Sequence, residues 1–176
     1  MDRRMVQAIG VIGCVSVLAM GGTGAEKMKG KAAAGAEKAA LTHVSSLLKA
    51  GSDRVYIACT SVPIPPELQK SAQAEQSFVN ALNESIGPYI EVMLGFTTGA
   101  KTASLKTLDY YYVAFLNFRG GPMTANLSTT SREATVTMLS GDLRKGGTIK
   151  GKLKGTTEGM EKKKYTWELD FTTELR

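Results

Sequence analysis

Few side chains in this 176-residue chain can do covalent or metal chemistry. There is one histidine, His43, and there are two cysteines, Cys14 and Cys59. A structural zinc site needs about four Cys or His ligands, so neither a metal nor any other cofactor is expected. His43 follows Thr42, and a lone histidine in that setting reads first as a hydrogen-bonded structural residue. The sharper reading makes it a ligand contact or a pH-sensitive group. A Ser-His-carboxylate hydrolase site remains open to sequence, but no Gly-x-Ser-x-Gly elbow is present. Arg119-Gly120-Gly121 lacks the Lys-Ser/Thr of a phosphate loop.

Two other groups carry recognition chemistry. Tyr110-Tyr111-Tyr112 lies in a strand-like run, so Tyr110 and Tyr112 share one face and Tyr111 takes the other. Core packing with hydroxyls at an edge is the plain reading. With rings exposed side by side, Tyr110 and Tyr112 would instead make a stacking platform for a sugar or flat ligand. Between Arg144 and Lys164 there are eight Lys or Arg against Glu158 and Glu161. Lys150, Lys152 and Lys154 are the candidates for contact with an anionic envelope component, such as lipid or polysaccharide. A solvated strand face that discourages edge pairing explains the same lysines. Without aromatic interleaving, nucleic acid is not the expected partner.

The elements that must position these residues are mainly strands. Ile149, Gly151 and Leu153 alternate with Lys150, Lys152 and Lys154. After a polar break, Tyr165, Trp167, Leu169 and Phe171 alternate with Thr166, Glu168, Asp170 and Thr172. This period of two predicts an antiparallel hairpin with one buried face. Lys150 and Lys152 are expected across from Glu168 and Asp170, and Trp167 is expected near Gly151. Arg54–Ser61, Tyr89–Phe96 and Leu108–Phe118 read as further strands, the first apolar on both faces and so inside a sheet. Met123–Thr130 reads as a weaker strand or loop, and Ala134–Leu139 as a strand. One helix is predicted over about 66–85, opening at Pro65 or Pro66, with Leu68, Ala72, Phe78, Val79 and Leu82 near one stripe. Residues 28–50 are ambiguous. Leu41, Val44, Leu47 and Leu48 have helical spacing, whereas Gly30, Gly35 and Thr42–Ser46 favour a hairpin turning at Gly35–Lys38.

The N-terminus points to export. Arg3-Arg4 precedes an uncharged run from Met5 to Met20, then Gly21–Ala25, the layout of a signal peptide cleaved after Ala25. Membrane contact would come only from an uncleaved anchor or from lipidation at Cys14, since Val11-Ile12-Gly13-Cys14 resembles a lipobox. Removing 1–25 leaves 151 residues and moves the formal charge from +6 to +5. Cys59 then remains alone, so no internal disulfide can form. It reads as a small buried hydrophobe. Asn83-Glu84-Ser85 and Asn126-Leu127-Ser128 match the glycosylation sequon.

Several segments resemble an uncharacterised group of exported bacterial β-domain proteins: Leu41-Thr42-His43-Val44, Asp53-Arg54-Val55-Tyr56-Ile57, Val62-Pro63-Ile64-Pro65-Pro66-Glu67 and the closing hairpin. The resemblance implies a strand at Leu41–Leu48, hence the hairpin, and brings no activity with it. The expected protein is a signal peptide (1–25) and one β-rich domain (26–176). That domain is an antiparallel sandwich or partly open barrel of about 7–9 strands with one helix. Its expected role is an exported, periplasmic or cell-surface, structural or interaction domain rather than an enzyme. A carrier for a small apolar ligand, bound in a barrel mouth or under the helix, is the alternative, and a Ser/carboxylate/His hydrolase a further one.

Overall fold

A computed structural model describes residues 26–82, 86–119, 123–128, 134–159 and 162–176. The proposed signal peptide, Cys14 and the Asn83-Glu84-Ser85 sequon lie outside them. The described chain is mainly β. The strands are β1 (Lys27–Ala34), β2 (Glu37–Leu41), β3 (His43–Leu48), β4 (Arg54–Thr60), β5 (Tyr89–Phe96), β6 (Thr102–Ser104), β7 (Leu108–Leu116), β8 (Met123–Ser128), β9 (Ala134–Asp142), β10 (Thr148–Glu158) and β11 (Lys164–Glu174). They form two antiparallel sheets, ordered β2-β1-β11-β10-β9-β6 and β3-β4-β5-β7-β8. Both sheets are open, so the architecture is a sandwich and the barrel is set aside.

The eleven strands among the described residues exceed the 7–9 expected, for two physical reasons. Residues 28–50 do form the hairpin, but its second arm bends at Thr42 and changes sheet. β2 and β3 therefore edge different sheets, and one chain segment turns the corner of the sandwich. The short β6 adds a further strand against β9, in a segment to which no element was assigned.

The core lies between the sheets. Phe115 of the five-stranded sheet meets Tyr165 and Trp167 of the other edge-on, at centroid distances of 5.1 and 5.9 Å. The inward residues of the closing hairpin, Ile149, Leu153, Tyr165, Trp167, Leu169 and Phe171, are all buried, as their alternation requires. Their register differs from expectation. β10 runs on through the polar stretch to Glu158, which pairs with Lys164. Gly155, not Gly151, therefore faces Trp167, while Gly151 faces Phe171. Lys150 likewise faces Thr172, and the acids Asp170 and Glu168 face Lys152 and Lys154.

The expected single helix is split. α1 (Pro66–Glu75) ends where Gln76 turns left-handed, with φ of 52°. Ser77 then caps α2 (Phe78–Ala81), its side chain accepting the Asn80 N–H. The break rotates Phe78 into the core while Val79 is left exposed, against the expected stripe. Both helices pack on the outer face of the five-stranded sheet, where Leu47, Ala58, Ile64, Ala72, Phe78, Leu82 and Tyr89 make a second apolar cluster. Among the described residues, no helix is long and apolar enough to cross a membrane.

Candidate functional site: the lysine face of the six-stranded sheet

Because inward residues alternate with outward ones, each strand of the larger sheet sends every second side chain to water. On β11 the outward residues include Glu168, Asp170 and Thr172. Their neighbours on β1 are Lys31, Lys29 and Lys27, and on β10 they are Lys154, Lys152 and Lys150. Each of the three is thus flanked by a lysine on either side. Six lysines surround two acids. Lys31 pairs with Glu168 at 2.8 Å and Lys152 with Asp170 at 2.9 Å. The hydrogen bond and charge of Lys31, with Lys154 and Lys29 behind, hold the Glu168 carboxyl below the usual carboxylate range. Lys27, Lys29, Lys150 and Lys154 have no salt-bridge partner among the described residues. The sequence-predicted trio Lys150, Lys152 and Lys154 is therefore one half of a larger feature. The β1 row was missed because its pairing with β11 joins opposite ends of the chain.

The same face carries a trough of about 910 Å³. It crosses β2, β1, β11, β10 and β9, five strands that at about 4.8 Å spacing make it roughly 19 Å long. Small side chains line it: Ala33, Ala40, Thr135, Thr156 and Thr166. Lys31, Lys38, Lys154 and Glu168 stand along it. The shape and charge suit an extended anionic chain, because small residues leave room and lysines supply mobile point charges.

The other predicted site residues lie elsewhere. His43 opens β3 opposite Thr60, with its Nδ1 3.0 Å from the Thr42 hydroxyl. Tyr110 and Tyr112 are on β7, with β4 and β5 between them and β3. Tyr112 is then roughly 20 Å from His43 by strand geometry, so the structure does not bring the three together. His43 does share a 200 Å³ cleft with Glu26 and Ser45. There the hydrogen bonds converge on Arg176, which donates to Ser45 Oγ at 3.0 Å and to Glu26 at 2.7 Å. Ser45 is thus engaged by Arg176, and the hydroxyl beside the imidazole is that of Thr42. No three His, Cys, Asp or Glu side chains among the described residues are placed to hold a metal.

Sequence reasoning also missed Glu91. It is 2% exposed, under α2, with Oε2 unpartnered. Burial raises its carboxyl to about 7, against the opposing pull of the Val79 and Phe78 backbone N–H groups. The available signal was its parity with Tyr89 and Met93 in a strand whose two faces are both apolar.

Comparison with known proteins finds no matching family model, curated protein or solved structure.

Proposed function

We propose that this protein is an exported, non-enzymatic interaction domain that docks through the lysine face of its larger sheet on an anionic component of the cell envelope. The observation that carries the reading is the flanking of β11 by two lysine rows, Lys27, Lys29 and Lys31 on one side and Lys150, Lys152 and Lys154 on the other. A solvated face built only for solubility gains most from mixed charge. Here positive charge is concentrated on one face of the sandwich, beside a trough that runs across the strands.

The test is sedimentation with vesicles containing phosphatidylglycerol, at rising salt. The expected result is retention that falls with ionic strength, since screening lengths shrink from about 10 Å at 0.1 M. Converting Lys150, Lys152 and Lys154 to Gln weakens it, and converting Lys27, Lys29 and Lys31 to Gln weakens it comparably. Unchanged retention in both triple variants refutes the reading. Mass spectrometry of the exported protein checks the address: a chain starting at Glu26 supports cleavage after Ala25, and a lipid-modified Cys14 points to membrane anchoring instead.

The carrier reading has an observation of its own. A pocket of about 390 Å³ opens at the end of the sandwich beside the C-terminal end of α1, lined by Leu47, Leu48, Ala100, Leu143, Gln73 and Lys145. Leu143→Trp fills it, and would abolish the fluorescence enhancement of an apolar anionic dye bound there.

A further inference from the structure

α1 and α2 cover only part of the outer face of the five-stranded sheet. The cluster beneath them reaches Leu47, Ala58 and Tyr89, and α2 sits over Glu91. Two cross-strand rows lie beyond it. One runs Tyr56, Met93, Tyr112 and the next Arg54, Gly95, Tyr110. Tyr56, Tyr110 and Tyr112 are each half-buried, and Arg54 is exposed.

The two rows are built differently, with one result. In the first, Tyr56 and Tyr112 flank Met93 from the strands on either side, and Met93 is only 3% exposed. In the second, Gly95 leaves a gap that the Tyr110 ring fills: a Cβ on Gly95 would lie 2.4 Å from Tyr110 Cε1. The ring therefore lies across the sheet towards Arg54. The neighbouring Tyr110 and Tyr56 phenols favour the charged form of the Arg54 guanidinium. The surface here is then three half-buried phenols with one exposed guanidinium beside them. Arg54 has no salt-bridge partner among the described residues.

We propose that the Arg54, Tyr56, Tyr110 and Tyr112 face is a glycan-binding platform, and that the sugar it takes carries a carboxylate. A pyranose ring presents a flat apolar C–H face that stacks on an aromatic ring, while its hydroxyls need donors and acceptors at the rim. The phenols supply both. A guanidinium without a carboxylate of its own matches the bidentate geometry of a uronate. Met93, the apolar residue at the centre of the patch, is covered, so the surface on offer is aromatic rings and polar groups. This site is on the opposite sheet from the lysine face and stands independently of it.

The test measures binding of the full-length protein to a polyuronate oligosaccharide, with neutral dextran oligosaccharide as comparison. Because the lysine face would attract any polyanion, the assay is run at moderate salt on the parent and on the Lys150/Lys152/Lys154→Gln variant. The platform component survives in both. Arg54→Gln and Tyr110→Ala each lower polyuronate affinity by about tenfold, and Arg54→Gln leaves any weak dextran binding unchanged. Arg54 is exposed, so its replacement does not disturb folding, and unaltered circular dichroism confirms this for Tyr110→Ala. Full affinity in both platform variants overturns the proposal, as does polyuronate binding that the lysine substitutions alone abolish.

Discussion

The indole of Trp167 lies across Gly155 on the neighbouring strand: a Cβ placed on Gly155 would sit 2.3 Å from Trp167 Cζ2. The glycine is needed there for space, since its absent side chain is the slot the ring occupies. Gly155→Val should destabilise by about 1–3 kcal/mol through overpacking, and Trp167→Ala by about 3–5 kcal/mol through the cavity it leaves. Urea unfolding measures both. A Gly155→Val midpoint equal to the parent's would show that the ring can move aside.

Glu91 gives the protein an unusual pH dependence. Its folded-state value of about 7 lies above the ordinary 4.5, so the folded state holds its proton more tightly than the unfolded state. Stability from this group is present at low pH, declines as pH rises from about 4.5, and levels off above about 7. A shift of this size corresponds to a few kcal/mol, on the order of 3. Glu91→Gln keeps an acceptor for the Phe78 and Val79 N–H groups and removes the titration. It should match the parent near pH 5 and exceed it at pH 8. Unfolding midpoints with parallel pH profiles for the two proteins would contradict this.

Glu168 and Asp170 sit in the middle of the lysine face, and both are well exposed. Exposed ion pairs contribute about 0–1 kcal/mol, so Glu168→Gln with Asp170→Asn should leave thermal stability nearly unchanged. The same double variant removes the two acids between the lysine rows. Its retention on anionic vesicles should persist to higher salt than the parent's, and a lower salt threshold would argue against the docking face.

Cys59 is fully buried, and burial raises its thiol to about 12. The thiolate is the reactive form. Native protein at pH 8 should therefore leave Cys59 unmodified by maleimide, with labelling only after unfolding. Peptide mapping separates this cysteine from Cys14. Rapid native labelling of Cys59 would mean that β4 opens readily.

Alternation along each strand is a local property, and it was legible from the chain. The inward set of the closing hairpin, the two-sided burial of β4 and the left-right division of Tyr110, Tyr111 and Tyr112 all follow from it. The outward lysines of β10 were legible for the same reason. Parity, however, leaves register open, because sliding one strand by two residues preserves every inside and outside position. Register depends on where the hairpin turns, and β10 ran four residues further than its apolar pattern, to Glu158. That slide moved Trp167 onto Gly155 and re-paired the lysines with their acids.

Contacts distant in sequence were decided only by the tertiary fold. β1 pairs with β11 across nearly the whole chain, and that pairing turned one lysine row into two. The bend at Thr42 placed β2 and β3 in different sheets, and β4 and β5 then came between His43 and the tyrosines within the five-stranded sheet. The break at Gln76 and Ser77 set α2 over Glu91 and left the Arg54 and Tyr110 row uncovered. The sequence by itself determined which face of each strand is wet, because that needs only the alternation of side chains. Which wet faces meet was set by chain closure, because long-range pairings are selected by the packing of the whole core.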